Sequence, residues 1–183
     1  MRLAREERRE QILDAATRAF GRTGFADTSV DEVAAEAGIT RVILYRHFDS
    51  KTTLYREVLD RASERLFEQV GAGGFGENTI ASLLGAAAGD PDGFRLLFHH
   101  AAREPEFRDQ MDKLTSTAIE VAEKALDGRV PPGPWANWAA KVTMTFTIEA
   151  VIAWLDAGRP SPDEAATRIR TAVRGIITAS GPL

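Results

Sequence analysis

Apolar residues recur along this chain at helical spacing almost from end to end, and no stretch alternates with the period of two that a strand needs. The densest signals lie between Thr28 and Lys51. Val30, Val33, Ala34 and Ala37 fall on one stripe of a helix from Ser29 to Ala37, with Asp31, Glu32 and Glu36 outside it. Ser29 is a natural N-cap, and Glu32, three residues on, completes a capping box. Gly38 is the left-handed stop that a side chain would disfavour. Thr40 then caps a second short helix, Arg41 to Phe48, with Ile39, Ile43 or Leu44, and Phe48 turned inward. Small Ala34 sits where the two helices must approach closely. Two short helices joined by a glycine turn make a helix-turn-helix unit, whose second helix fits a DNA major groove. Left outward on it are Arg41, Val42, Tyr45, Arg46 and His47, with Lys51 just beyond.

The same reading extends to both sides. A first helix runs to about Arg22, with Ile12, Leu13, Ala16 and Phe20 on its stripe, and Gly24-Phe25 ends it so that Phe25 plugs the core of a small domain. Ser50 caps a fourth helix from Lys51 to about Val70. Gly71 to Gly76 is a flexible break, without the Lys-Ser/Thr that a phosphate loop needs. Thr79 to Ala88 resumes as a small-residue helix. Asp90-Pro91 pairs a cap with a first-turn proline, Glu104-Pro105 breaks or kinks the chain, and Phe107 to Leu126 carries Met111, Leu114, Ala118, Val121 and Ala125 on one side. After the 131–134 loop, Trp135 to Asp156 is apolar nearly all round. Gly158-Arg159-Pro160 stops it, and Ser161, Pro162 and Glu164 open a last helix to about Ala179. The fold class expected is all-α: a three-helix helix-turn-helix domain over residues 1–55, then a helical domain over 56–183.

Residues Glu7 to Tyr55 carry a more specific signal. RREQILDAATRAFGRTGF, TSVDEVAAEAGIT, LYRHF and SKTTLY occur in that order, and with them the chain resembles the TetR-type transcriptional regulators. Val42 and Ile43 depart from it, standing where that family often has a small residue and a hydroxyl residue. The resemblance implies a DNA-binding head, dimerisation through the last two helices, and a small-molecule pocket in the second domain whose occupancy changes the spacing of two heads.

Composition adds limits. At 183 residues, with 44% hydrophobic and 27% charged residues, the chain is an ordinary globular protein long enough for a real core. Its net charge of −4 looks wrong for a DNA binder. The charge is uneven, however: residues 1–56 hold ten basic and nine acidic groups, the remainder thirteen and eighteen. DNA affinity then depends on local placement and should be strongly salt-sensitive. The absence of cysteine excludes disulfides and thiolate metal sites. The longest apolar-leaning stretch, Val142 to Leu155, reads as too short to span a bilayer. A soluble cytoplasmic protein with no membrane partner is expected. Neither HExxH nor GxSxG is present, and adjacent His99 and His100 diverge on a helix, so neither an enzyme nor a metal or other cofactor is expected.

The candidate chemistry is therefore DNA contact. Arg41 and Arg46 suit guanine, whose O6 and N7 a guanidinium takes together. Lys51, at a helix N-terminus, suits a phosphate, as do Tyr45 and His47. Thr40 is a cap first and a phosphate or thymine-methyl contact second; Thr28 and Ser29 are phosphate candidates. Arg2, Arg5, Arg8 and Arg9 form either a minor-groove arm, a frayed and solvated terminus, or the start of a salt-bridged helix. One short reading helix covers few bases, so a homodimer on a palindromic double-stranded operator is expected, paired through Trp135–Asp156 and the last helix. Candidate effector-lining residues are Phe94, Phe98, Phe107, Met111, Trp138, Val142, Phe146 and Glu149; the last is either a pocket acid or a structural ion pair.

Overall fold

A computed structural model describes residues 5–71, 78–126 and 128–180, although nothing is described of the side chain at position 125. Among them there is no strand. The helices are α1 (Arg5–Asp27), α2 (Val30–Glu36), α3 (Arg41–Tyr45), α4 (Lys51–Gly71), α5 (Thr79–Gly89), α6 (Pro91–Arg95), α7 (Arg108–Leu126), α8 (Pro134–Asp156) and α9 (Pro162–Ala179). Two compact units result: residues 1–64 with 92–111, and residues 65–91 with 112–183. Residues 92–111 thus cluster with the N-terminal helices, a long-range placement that a linear division at residue 55 does not contain. The glycine run after Gly71 and the basic residue Arg2 lie outside the described residues.

The first unit is built around α1. Ile12, Leu13, Ala16 and Phe20 are buried along its inner side. Gly21 is equally buried because the backbone of Asp92 passes so close that a Cβ would lie 2.7 Å from the Asp92 carbonyl oxygen. At Gly24 the helix breaks (φ +80°, ψ −176°) and turns Phe25 into an aromatic cluster. Phe25 and Tyr55 lie 5.0 Å apart, Phe25 and Phe107 5.0 Å, Tyr55 and Phe107 4.5 Å, with Phe20 edge-on to Tyr55 at 4.8 Å. Offset and edge contacts of this kind add to the apolar area they bury.

Polar groups fasten the same corner. The Phe25 amide donates to Glu104 Oε1 at 2.7 Å, and His100 Nε2 donates to the Gly21 carbonyl at 3.1 Å. The Tyr55 hydroxyl and Glu104 Oε2 are buried without a well-formed hydrogen bond. Burial first, and then the Glu104 carboxylate, push the Tyr55 ionisation far upward. Burial also lowers the His100 pKa, so the ring favours its neutral form. The chain between α6 and α7 is not one kinked helix: a π-helical turn at Leu96–His100 gives way to 3-10 turns at Ala101–Arg103 and Pro105–Phe107. Pro105 keeps Glu104 extended (φ −97°, ψ 111°), which ends the helix there.

In the second unit α5, α8 and α9 pack on one another. Ala122, Leu126, Val130, Ala139 and Ala140 form one core cluster, with Met144 and Ile177 against it. Ser161 caps α9 through the Glu164 amide, with Pro162 at the first helical position. The whole of α8, longer than the Val142–Leu155 run, has the length and composition of a membrane-crossing helix, a test that the core helix of a globular protein also passes. It is not apolar all round: Trp138, Lys141, Thr145, Glu149 and Asp156 lie on its exposed side, while Ile148, Val151, Ile152 and Leu155 are buried. A helix buried along one side and charged along the other is built as part of a helical core.

Candidate nucleic-acid interface

The helix-turn-helix is assembled from local bonds that its own residues supply. The Ser29 hydroxyl accepts from the Glu32 amide (3.1 Å) and the Glu32 carboxylate accepts from the Ser29 amide (2.6 Å), so the box closes in both directions. Those bonds, backbone first, hold the Glu32 carboxyl below the usual range. At the other end of α2, Ile39 N–H donates to Ala34 (2.9 Å) and Gly38 N–H to Ala35 (3.0 Å), with Gly38 at φ +63°. This paired closure around a left-handed glycine satisfies carbonyls that the helix leaves open. The Gln11 side-chain amide donates to a third, that of Ala37, at 2.8 Å. Arg18 and Arg22 each reach Glu36 at 2.8 Å, and those bonds keep the Glu36 carboxyl ionised to lower pH. The frame is fixed from α1.

On that frame α3 is anchored by Leu44 and Phe48, both buried. The helix ends at Tyr45, three residues earlier than expected, and residues 46 and 47 form a turn, with His47 and Phe48 both donating to the Leu44 carbonyl. Thr40 caps the start through the Ile43 amide at 3.4 Å. Ile43 is half-buried, whereas Arg41, Val42, Tyr45 and Arg46 all face solvent. Arg41 is braced: its guanidinium lies 3.3 Å from Asp31 and 3.5 Å from the Tyr45 hydroxyl, over the Tyr45 ring. Arg46 has no ion-pair partner among the described residues.

His47 is half-buried, with Nδ1 shut off from solvent and unpartnered. Burial and then Arg5, Arg8 and Arg9 hold its pKa down. Those arginines belong to the first turns of α1; Arg8 bonds Gln11, and Arg9 pairs with Glu57 over the Phe48 ring. Lys51 opens α4 beside Ser50, whose hydroxyl accepts the Thr53 amide at 3.0 Å. Its ammonium rests 4.4 Å from the centroid of the Phe25 ring. Thr28 departs from expectation. It is only 2% exposed, and its hydroxyl bonds Thr23 and the Gly24 carbonyl, so it ties α1 to α2 and offers no phosphate contact. Ser29 stays exposed, its hydroxyl engaged in the cap. Asp31 is the residue that sequence reasoning passed over; an acid in the first turn of α2 reads as helix-dipole chemistry, not as a brace for an arginine ten residues on.

Residues 12–58 match the family model of bacterial regulatory proteins, tetR family. The transcriptional activator FasR of Mycolicibacterium smegmatis is 30% identical over 177 residues, covering 90% of this chain and 80% of that protein. The chain belongs to the TetR family. The regulator AcrR of Shigella flexneri is 38% identical over 63 residues, 34% of this chain and 29% of that protein. Among solved structures, a TetR-like regulator from Rhodococcus sp. RHA1 superposes with a TM-score of 0.76 at 22% identity, covering 96% of this chain and 98% of that one, a likeness of fold. As a TetR-family member the protein is a DNA-binding transcriptional regulator, and the relatives it matches are regulators, not enzymes.

The expected effector residues divide between the two units of this TetR-family chain. Phe94, Phe98, Phe107 and Met111 belong to the first, where Phe94 and Phe98 pack ring to ring at 4.8 Å and Phe107 completes the aromatic cluster. Trp138, Val142, Phe146 and Glu149 belong to the second. Val142 and Phe146 are half-buried along α8, but Trp138 is exposed beside Trp135. Glu149 is exposed as well, and a carboxylate facing water needs neither a ligand nor an ion pair to justify it.

Proposed function

We propose that the protein is a cytoplasmic, homodimeric repressor that reads a palindromic double-stranded operator and releases it when a small molecule binds the second domain. The exposed, capped α3, held on a rigid α1 frame, is the observation that carries this reading. Arg41 and Arg46 take guanines, while Thr40, Tyr45, His47 and Lys51 grip phosphates, joined by the amides at the start of α2 beside Ser29. A phosphate near His47 counters the repulsion from Arg5, Arg8 and Arg9 and favours the charged ring.

Dimerisation is supported by the outer sides of α8 and α9. Ala153, Ala172, Gly175 and Ala179 leave small exposed surfaces beside half-buried Phe146, Val173 and Ile176, a combination that lets two helix pairs approach closely. Two heads then address half-sites about one DNA turn apart. The effector works by binding the DNA-incompetent state more tightly, since equal affinity for both states shifts nothing.

The resemblance to FasR, named an activator, favours a second reading in which the same dimer raises transcription. Selecting duplexes from a randomised pool with the full-length protein tests the first step, and a reporter carrying the recovered operator separates the two signs. A palindrome, two protomers by light scattering and reduced transcription support the repressor. Increased transcription supports the activator. No enriched duplex at low ionic strength, from protein whose helices are intact, would refute both.

A further inference from the structure

Val42 lies 64% exposed on the side of α3 that carries Arg41, Tyr45 and Arg46. We infer that it reads the C5-methyl group of a thymine in each operator half-site. This rests on the DNA-binding reading above and adds what that surface selects. Val42 is the second residue of α3, in the N-terminal turn, which is the part of a recognition helix that meets base edges. Tyr45 and Arg46 stand three and four residues on, so their side chains neighbour Val42 on one outward stripe. It is not turned aside into the core, as Leu44 is.

The chemistry of the groove narrows the partner. Base edges in the major groove display donors and acceptors, and one apolar group, the thymine methyl. An isopropyl side chain against a guanine O6 and N7, or an adenine N7 and N6, strips water from polar atoms and returns no hydrogen bond. Against thymine it buries a methyl on each side. Arg41, engaged by Asp31 at 3.3 Å and by the Tyr45 hydroxyl at 3.5 Å, projects from the preceding position of the same turn.

The test uses full-length protein and the operator recovered by selection. Each thymine of either half-site is replaced singly by deoxyuridine, which removes one methyl and leaves base pairing unchanged. At one position per half-site the affinity should fall about fourfold, the worth of burying one methyl group. Val42→Ala should bind the thymine and uracil duplexes equally, while Val42→Ile should keep the preference. An unchanged helix signal and retained binding to the uracil duplex show that the variants are folded. Indifference of the wild-type protein to deoxyuridine at every position, or full discrimination retained by Val42→Ala, would overturn the inference. Recovery of no duplex at all would remove the DNA-binding reading and this inference with it.

Discussion

Replacing Gly38 by alanine isolates the cost of the elbow between α2 and α3. The residue holds φ +63°, and a Cβ built there meets no heavy atom within 4 Å, so steric crowding from neighbours contributes nothing. What remains is the backbone: a left-handed conformation costs an L-residue with a side chain about 1–2 kcal/mol. Alanine also narrows the unfolded ensemble, but that gain of about 0.4–1 kcal/mol belongs to positions whose backbone suits it, and here it offsets only part of the loss. The net expectation is a destabilisation of about 0.5–1.5 kcal/mol, read from urea unfolding at fixed protomer concentration. Asparagine tolerates the left-handed region better, so Gly38→Asn should cost less than Gly38→Ala. If the chain escapes the strain by rotating to negative φ, the bonds from Ile39 to Ala34 and from Gly38 to Ala35 are lost and α3 reorients. Operator affinity, measured well below the unfolding midpoint, would then fall with stability. A neutral or stabilising alanine, or an asparagine worse than alanine, would refute the claim that this turn is held left-handed.

Three further outcomes follow from groups described above. Glu104→Ala leaves the Phe25 amide without its acceptor and should cost about 1–3 kcal/mol in thermal or urea unfolding, whereas Glu104→Gln, which keeps an acceptor oxygen, should cost much less; equal losses would contradict the hydrogen-bond account. His100 and His47 both have folded pKa values depressed below that of a free histidine, so the unfolded chain takes up protons first. Their stability contribution is full above pH of about 6.5 and is lost as pH falls below it, and His100→Gln should flatten that slope in urea midpoints compared at neutral and mildly acidic pH; an unchanged slope would count against it. Gly175 faces open space in the protomer, so Gly175→Glu should leave the helix signal intact yet give a monomer by light scattering, and a persistent dimer would move the interface elsewhere.

What the sequence made legible was what neighbours in sequence decide. The capping box of Ser29 and Glu32, the Gly38 stop and the proline start after Ser161 are bonds between residues a few positions apart, so their spacing announces them. The outward Arg41, Val42, Tyr45 and Arg46 followed from the same arithmetic, with Leu44 and Phe48 as inner anchors, whereas His47 turned out half-buried. Contacts across long separations left no such trace. Nothing near Thr28 signals that its hydroxyl is spent inside the corner, or that Phe25 and Glu104, 79 residues apart, share a hydrogen bond. Glu104-Pro105 was readable as a breaker, but the π-helical turn before it was not, nor was the bond from its His100 to the Gly21 carbonyl, 79 residues away. On α8 the threonines among the apolar residues hid an exposed side, since threonine suits either environment.

The five-residue length of α3 has a consequence of its own. A single turn and a half cannot repay the entropy of nucleating a helix, so the segment would be shapeless if excised. Its form is on loan from α1, α2 and the start of α4. Transplanting the reading residues into another regulator therefore requires moving that whole frame, and a synthetic peptide of the recognition segment would be a poor mimic of the protein.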